Sequence, residues 1–309
     1  MATAVAAAGR VSRPSESGIA SRRRQAVSVA LFLFGILVLW EGVKFLGGTP
    51  WRAPGALPNS PVLWNPPFRW PFANDLILPH TWNIVLAYTQ PWQPGVDDTS
   101  LAGKLLDAAL YTWRSAAIGF VFGAILGLML ATVFVHSRLL ERALVPYVIA
   151  SQTVPIVALA PMIVFAFGAN VVSVVIIATY LTFFPVTIAM IRGLRSFDPR
   201  AMELMRSYAA SRSQIYWKLR FPASLPYLFT ALKISATAGI VGAIIGEGPG
   251  GISEGLGRLI ITFNQYYITG PEKLWAAIGG TALLGIAFFA VIVIVEWAVL
   301  RNRRRPELA

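Results

Sequence analysis

The chain has no cysteine and only two histidines, and just 13% of its 309 residues are charged, where an average soluble domain carries roughly a quarter. Without cysteine there are no disulfides, thiol nucleophiles or thiolate-bound metals. His80 and His136 stand far apart with no ligand spacing, so no metal site is expected. A Walker A pattern is also missing. The one Gly-Lys pair, Gly103-Lys104, lacks both the upstream glycine and the following Ser or Thr, so this chain is not expected to bind ATP itself. Residues 246–251 (GEGPGG) match G-x-G-x-x-G, but they follow an apolar run rather than a strand, contain Pro249 and open no βαβ unit. No catalytic residue and no cofactor are expected.

What the chain does have is apolar sequence, 56% of it, gathered in long blocks. Residues 115–135 (SAAIGFVFGAILGLMLATVFV) carry no charge, and as a helix of ~1.5 Å per residue they cover a ~30 Å hydrocarbon core. A soluble helix of that length needs a polar face, and this block has none. Six spans are read at 27–46, 115–135, 147–168, 171–191, 226–246 and 275–299. The third is the least uniform, interrupted by Pro146, Pro155 and Pro161. The expected fold is an all-α membrane protein.

The formal charge of +12 sits beside these blocks, as membrane topology requires, rather than on a nucleic-acid face. Arg10, Arg13, Arg22, Arg23 and Arg24 precede the first span, and Arg138 and Arg142 follow the second. Seven basic residues from Arg192 to Arg220 follow the fourth, and Arg301, Arg303, Arg304 and Arg305 follow the sixth. The other loops are poor in Lys and Arg, so both termini are placed in the cytoplasm. Ser21-Arg22-Arg23 has a faint twin-arginine look, but the ~20-residue apolar run is long for a signal core and no Ala-x-Ala site follows, which favours an uncleaved anchor.

The expected organisation is a cytoplasmic tail 1–26, the first span 27–46, an external Pro/Trp-rich segment 47–114, a core 115–299 with a cytoplasmic loop 192–222, and a tail 300–309. Pro79 and TWNIVLAY predict a short interfacial helix, with tryptophans at headgroup level. Gly119, Gly123 and Gly127, Gly242 and Gly246, and Ala277, Thr281 and Gly285 form small-residue ridges that allow close helix approach.

The loop after the fourth span is the most informative segment: SFDPRAMELMRSYAASRSQIYWKLRFPASLPYLFTALK (196–233). Asp198-Pro199 is a helix start, and Phe197 with Met202 fits a hydrophobic staple across it. Met202, Met205, Tyr208, Ile215 and Leu219 fall near helical spacing, which predicts an amphipathic helix resting either on the bilayer or in a cytoplasmic partner.

These residues resemble the loop of ABC importer permeases, E-A-A-x3-G-x9-I-x-L-P. Glu203, Leu204 and Met205 stand at E-A-A, Ala209 at the glycine, and Leu219, Phe221 and Pro222 at I, L and P. QTVPIVALAPMIVFAFG (152–168) and IVGAIIGEGPGGISEGLGRLI (240–260) resemble segments of the nitrate, sulfonate, taurine and vitamin-precursor branch. The resemblance implies a type I importer permease fold with two cytoplasmic ATPase subunits, an external solute-binding protein and a second permease chain. It also implies that the loop docks into the ATPase. The GEGPGG segment and the Trp-rich outer region resemble permeases for aromatic vitamins, riboflavin in particular; sulfonate, taurine, nitrate or a pyrimidine vitamin precursor are the alternatives.

Pro155 cannot donate to the carbonyl of Ser151, which frees polar backbone near Gln152 and Thr153 and makes these pathway candidates. Glu247, at the outer end of the fifth span, reads as a solvated loop carboxylate or, more sharply, as an external gate; Lys233 reads as a snorkelling lysine. The rival class is a self-sufficient secondary transporter, which favours internal repeats and acidic residues at the centre of spans. Neither is evident in spans two to five.

Overall fold

The computed structural model describes residues 16–53, 60–248 and 252–301. Arg10, Arg13, Arg303, Arg304 and Arg305, and the last three residues of the GEGPGG segment, lie outside them. The chain divides into two compact units, Met1–Leu86 and Ala87–Ala309.

In the first unit, helix α1 (Glu16–Leu46) carries an apolar, largely exposed surface suited to lipid, and ends in a buried polar network. Lys44, 1% exposed, donates to Asp75 Oδ1 at 2.5 Å and to the Leu78 carbonyl at 2.6 Å. Glu41 accepts the Thr81 N–H at 2.8 Å and its hydroxyl at 2.7 Å, and lies 2.8 Å from His80 Nδ1. Glu41 thereby caps the short helix α2 (Thr81–Ala87) from 40 residues away. Trp51 meets the His80 ring edge-on, and Trp82 stacks on it at 4.0 Å. Burial pushes the His80 imidazole below its ordinary value, against the opposing pull of the Glu41 hydrogen bond.

The second unit opens with an antiparallel hairpin, β1 (Pro91–Gln93) and β2 (Asp97–Ser100), and then the long helix α3 (Leu101–His136). Ser100 caps α3, so the helix begins fourteen residues before the 115 expected from hydropathy; its first turns are too mixed in polarity to look like part of a span. A pair, α4 (Arg138–Ser151) and α5 (Ile156–Phe167), is bent by 96°. α6 (Val171–Gly193) follows, then α7 (Pro199–Ser207), α8 (Arg212–Ile215) and α9 (Phe221–Glu247), the last two joined by a π-helical turn over Tyr216–Arg220. α10 (Leu256–Gln265) and α11 (Pro271–Leu300) complete it. Five described helical stretches are long and apolar enough to cross a bilayer, and six if the bent pair counts as one.

The core is the stack α3–α6–α9, and small residues set its spacing. A Cβ at Gly119 would stand 2.5 Å from the Ala178 Cβ, one at Gly123 2.5 Å from the Thr182 Cβ, and one at Gly127 2.6 Å from the Phe183 carbonyl. From α9, a Cβ at Gly242 or Gly246 would sit 3.0 Å from the Ala178 Cα or 3.1 Å from the Val174 Cα. α6 is held between two smooth faces, which in lipid is how helices gain dispersion contact. The Thr179 hydroxyl donates to the Gly119 carbonyl at 3.2 Å, and the Ser235 hydroxyl to the Thr182 carbonyl at 3.1 Å, adding bonds across both seams. Gly285 on α11 meets nothing within 4 Å, so the third small-residue ridge does not pack along its length within the chain.

Candidate functional site

The loop 192–222 folds into short, separately capped pieces. Asp198 accepts the Arg200 N–H at 2.9 Å and starts α7 with Pro199 in its first turn. Met202 is buried, while the Phe197 ring lies 5.1 Å under the Arg220 guanidinium. The helix stops at Ser207. Ala210 N–H then reaches back to the Met205 carbonyl at 3.0 Å, and Ala209 N–H to that of Arg206 at 2.9 Å, the bond pattern of a Schellman cap. Its turning residue, Ala209, has φ +50°, the only positive φ outside glycine among the described residues. This explains the glycine that the importer-permease pattern carries at this position, and it corrects the expected single amphipathic helix. Met202, Met205 and Tyr208 lie on α7 or its cap, whereas Ile215 and Leu219 lie beyond the turn.

Beyond the turn, Ser211 and Gln214 form a reciprocal capping box at 3.3 and 2.8 Å. At Pro222 the ring removes a donor, the preceding turn widens, and Phe221 N–H bonds the Tyr216 carbonyl. Glu203 is exposed, Met205 half-buried, and Leu219, Phe221 and Pro222 half-buried. Leu204 and Tyr208, on α7 and its cap, are 58% and 79% exposed, and Trp217, packed against Tyr216 and Phe221 beyond the turn, is 61% exposed. Two contacts fix the base of the segment. Arg195 holds Glu141 of α4 with two bonds at 2.8 and 2.6 Å, and Tyr216 Oη lies 2.9 Å from Thr132 Oγ1 on α3.

The second candidate region is the break at Pro155. Of the three prolines, Pro146 and Pro161 sit inside helices, and only Pro155 stands at the bend, preceding α5. The proposed single crossing over 147–168 is thus two helices meeting at 96°. The freed Ser151 carbonyl accepts the Tyr180 hydroxyl of α6. Gln152 is half-buried, with Nε2 out of solvent and without a described partner. Thr153 is exposed and turns its hydroxyl back to the Ala150 carbonyl at 2.7 Å.

Glu247 stands away from both regions. Sequence reading favours a solvated carboxylate, but the residue is 0% exposed. Its Oε2 accepts the Gly257 N–H at 2.9 Å and lies 2.9 Å from the Thr112 hydroxyl, which accepts the Leu256 N–H at 2.9 Å. Glu247 and Thr112 together cap α10, with the carboxylate at the helix end that favours negative charge. Gly255, φ +95°, makes this possible: a Cβ there would lie 2.3 Å from the carboxyl carbon. Thr112 escaped sequence reading because residues 101–114 pass for external loop; a Thr facing a downstream acidic residue leaves no local signal.

Comparison with known proteins decides the family. The model for the binding-protein-dependent transport system inner membrane component matches residues 123–306. The chain belongs to this family. The permease is similar to the formylaminopyrimidine transport permease protein ThiX of Halalkalibacterium halodurans, 35% identical over 61% of this chain and 74% of that protein. It is also similar to the riboflavin transport system permease protein RibX of Chloroflexus aurantiacus (30%, over 76% and 91%). A third relative is the putative aliphatic sulfonates transport permease protein SsuC of Bacillus subtilis (29%, over 75% and 80%). A crystal structure of an amino acid ABC transporter with histidines shares the fold, at TM-score 0.52 and 15% identity over 63% of this chain and 94% of that one. The permease is therefore a multi-pass inner-membrane component of an ABC importer for small solutes, of the nitrate, sulfonate and taurine branch.

Proposed function

We propose that the permease forms the translocation pathway for a vitamin-like heteroaromatic solute, riboflavin first among them, and takes its energy from a separate pair of ATPase subunits that grip residues 196–222. In this reading an external binding protein delivers the solute, a second permease chain completes the pathway, and Gln152, Thr153 and Pro155 line it. The observation that carries the coupling assignment is the exposed apolar pair Leu204 and Tyr208, beside Glu203 on α7 and its cap, in a segment tied to α3 and α4. Exposed apolar side chains on a basic, water-facing loop suit burial in a protein groove. The substrate assignment is supported by the riboflavin permease that this chain matches over most of both lengths, and by the lack of arginine in spans two to five, which disfavours an anion site.

The test is co-expression with the partner ATPase and binding protein. Wild-type permease should co-purify with the ATPase and give ATP-dependent riboflavin uptake in vesicles. Glu203→Lys reverses a charge at the docking edge, and Ala209→Pro removes the Arg206 bond and cannot adopt φ +50°. Both should lose co-purification and uptake while still inserting, Ala209→Pro more severely. Normal co-purification of both would reject the coupling assignment. Intact coupling with no riboflavin uptake would reject the substrate alone.

A further inference from the structure

A charged cavity remains unused by the transport reading. Lys233 on α9 donates to both carboxylate oxygens of Glu296 on α11, at 3.1 and 2.9 Å, and the pair borders a cavity of about 370 Å³. Trp297, Val293, Leu300 and Arg301 complete its wall. The Arg301 guanidinium sits 4.9 Å from the centroid of the Trp297 ring and has no ion pair with a described residue.

Depth and charge select the ligand. Lys233 is fourteen positions below Glu247, or ~21 Å along α9, and so ~9 Å from the inner edge of a ~30 Å hydrocarbon core. Glu296 is four positions, ~6 Å, from the end of α11. The cavity therefore runs from the inner-leaflet acyl region, where the Lys233 backbone sits, to the end of α11, where Arg301 reaches the headgroup level. It offers two cations against one carboxylate, and one Lys233 N–H stays free after both Glu296 oxygens are served. The guanidinium lies over an indole and has no carboxylate partner among the described residues. Val293 and Trp297, 37% and 59% exposed, give the cavity an apolar lip. A soluble anion gains nothing from that lip, but a glycerophosphate with an acyl chain does.

We infer that Lys233, Trp297 and Arg301 form a binding site for the headgroup of an anionic phospholipid, whose acyl chain runs along Val293. The basic residues Arg303, Arg304 and Arg305 that follow in sequence attract anionic lipid to this end of α11, but the cavity selects it. The assignment rests on the arginine-based orientation only for the choice of leaflet; headgroup preference is measured without it.

The experiment is native mass spectrometry of the full-length permease released from mixed micelles of phosphatidylglycerol and phosphatidylcholine. Wild type should retain one phosphatidylglycerol with about tenfold preference. Arg301→Gln should bring the preference close to parity at unchanged helical content, whereas the triple Arg303→Gln, Arg304→Gln, Arg305→Gln should keep most of it. Glu296→Gln, which keeps one acceptor for Lys233 and removes the competing negative charge, should hold the lipid at least as well as wild type. Parity in wild type, or a loss caused by the triple variant and not by Arg301→Gln, would overturn the site. Displacement of the lipid by inorganic phosphate would reassign it to a free anion.

Discussion

Local caps occur on both sides of the permease, Ser100 and Asn170 among them, but the described caps that reach across from another helix lie on one side alone. On the side that the charge pattern places outside, two glutamates cap helices to which they do not belong. Glu41 caps α2 from 40 residues away, and Glu247 caps α10 across ten residues, with help from Thr112 on α3. On the cytoplasmic side the caps are local: Ser137 for α4, Asp198 for α7, and Ser211 with Gln214 for α8. A distant cap joins elements and resists their separation. A local cap leaves each piece self-contained, free to shift as a unit when a partner pulls on it. The outer ends thus read as braces and the inner segment as a set of levers.

The strongest way to break this contrast is to fill the outer brace. A Cβ at Gly257 would meet the Ile244 carbonyl at 2.2 Å and the Glu247 Cβ at 2.9 Å, atoms that cannot yield cheaply. Gly257→Ala should destabilise the permease by about 3 kcal/mol, the upper range for overpacking, with a clear drop in detergent melting temperature. Next comes Glu247→Ala, which orphans the buried Gly257 N–H while the Thr112 hydroxyl keeps the Ala108 carbonyl, and should cost about 2 kcal/mol. Glu247→Gln retains an acceptor and should lose less than half of that. Equal melting temperatures for the two variants would show that the carboxylate position braces nothing.

The inner side offers the reverse test. Ala209 holds a left-handed conformation that disfavours a Cβ, so Ala209→Gly should stabilise by about 1 kcal/mol and preserve ATPase co-purification. A melting temperature below wild type would mean that the turn gains from its side chain.

The smallest effect sharpens the outer half. His80 has its titration held below the ordinary value of 6.5, chiefly by burial. A lowered folded value means that its contribution is complete above that ordinary value and lost as pH falls through the folded one. With His136 the only other histidine, two imidazole resonances should appear, one titrating below 6.5 and vanishing in His80→Gln. A midpoint at or above 6.5 would remove burial as the dominant cause.

Much of the architecture was legible because lipid imposes one-dimensional rules. A helix must be apolar over the width of the bilayer, so five of the six spans could be read in order from the chain alone, while the third proved to be two helices bent at Pro155. The glycine ridge at 119, 123 and 127 was legible for the same reason, since four-residue spacing repeats on one helix face. Its partner was not, and the finding that α6 lies between this ridge and Gly242–Gly246 needed coordinates. The segment proposed for coupling was visible as spacing from Glu203 to Pro222, but the spacing could not say that Ala209 ends a helix rather than continuing it. That depends on two backbone bonds and one dihedral angle, which alanine does not advertise. Glu247 was misread as solvated because neighbouring residues argue for a loop, whereas its burial depends on Thr112, 135 residues away. Local patterning and transfer energy act on the sequence directly, and they determined the apolar spans and the Asp198–Pro199 helix start. The tertiary structure decided which polar groups share a buried space, because that requires the folded chain to bring distant residues within 3 Å.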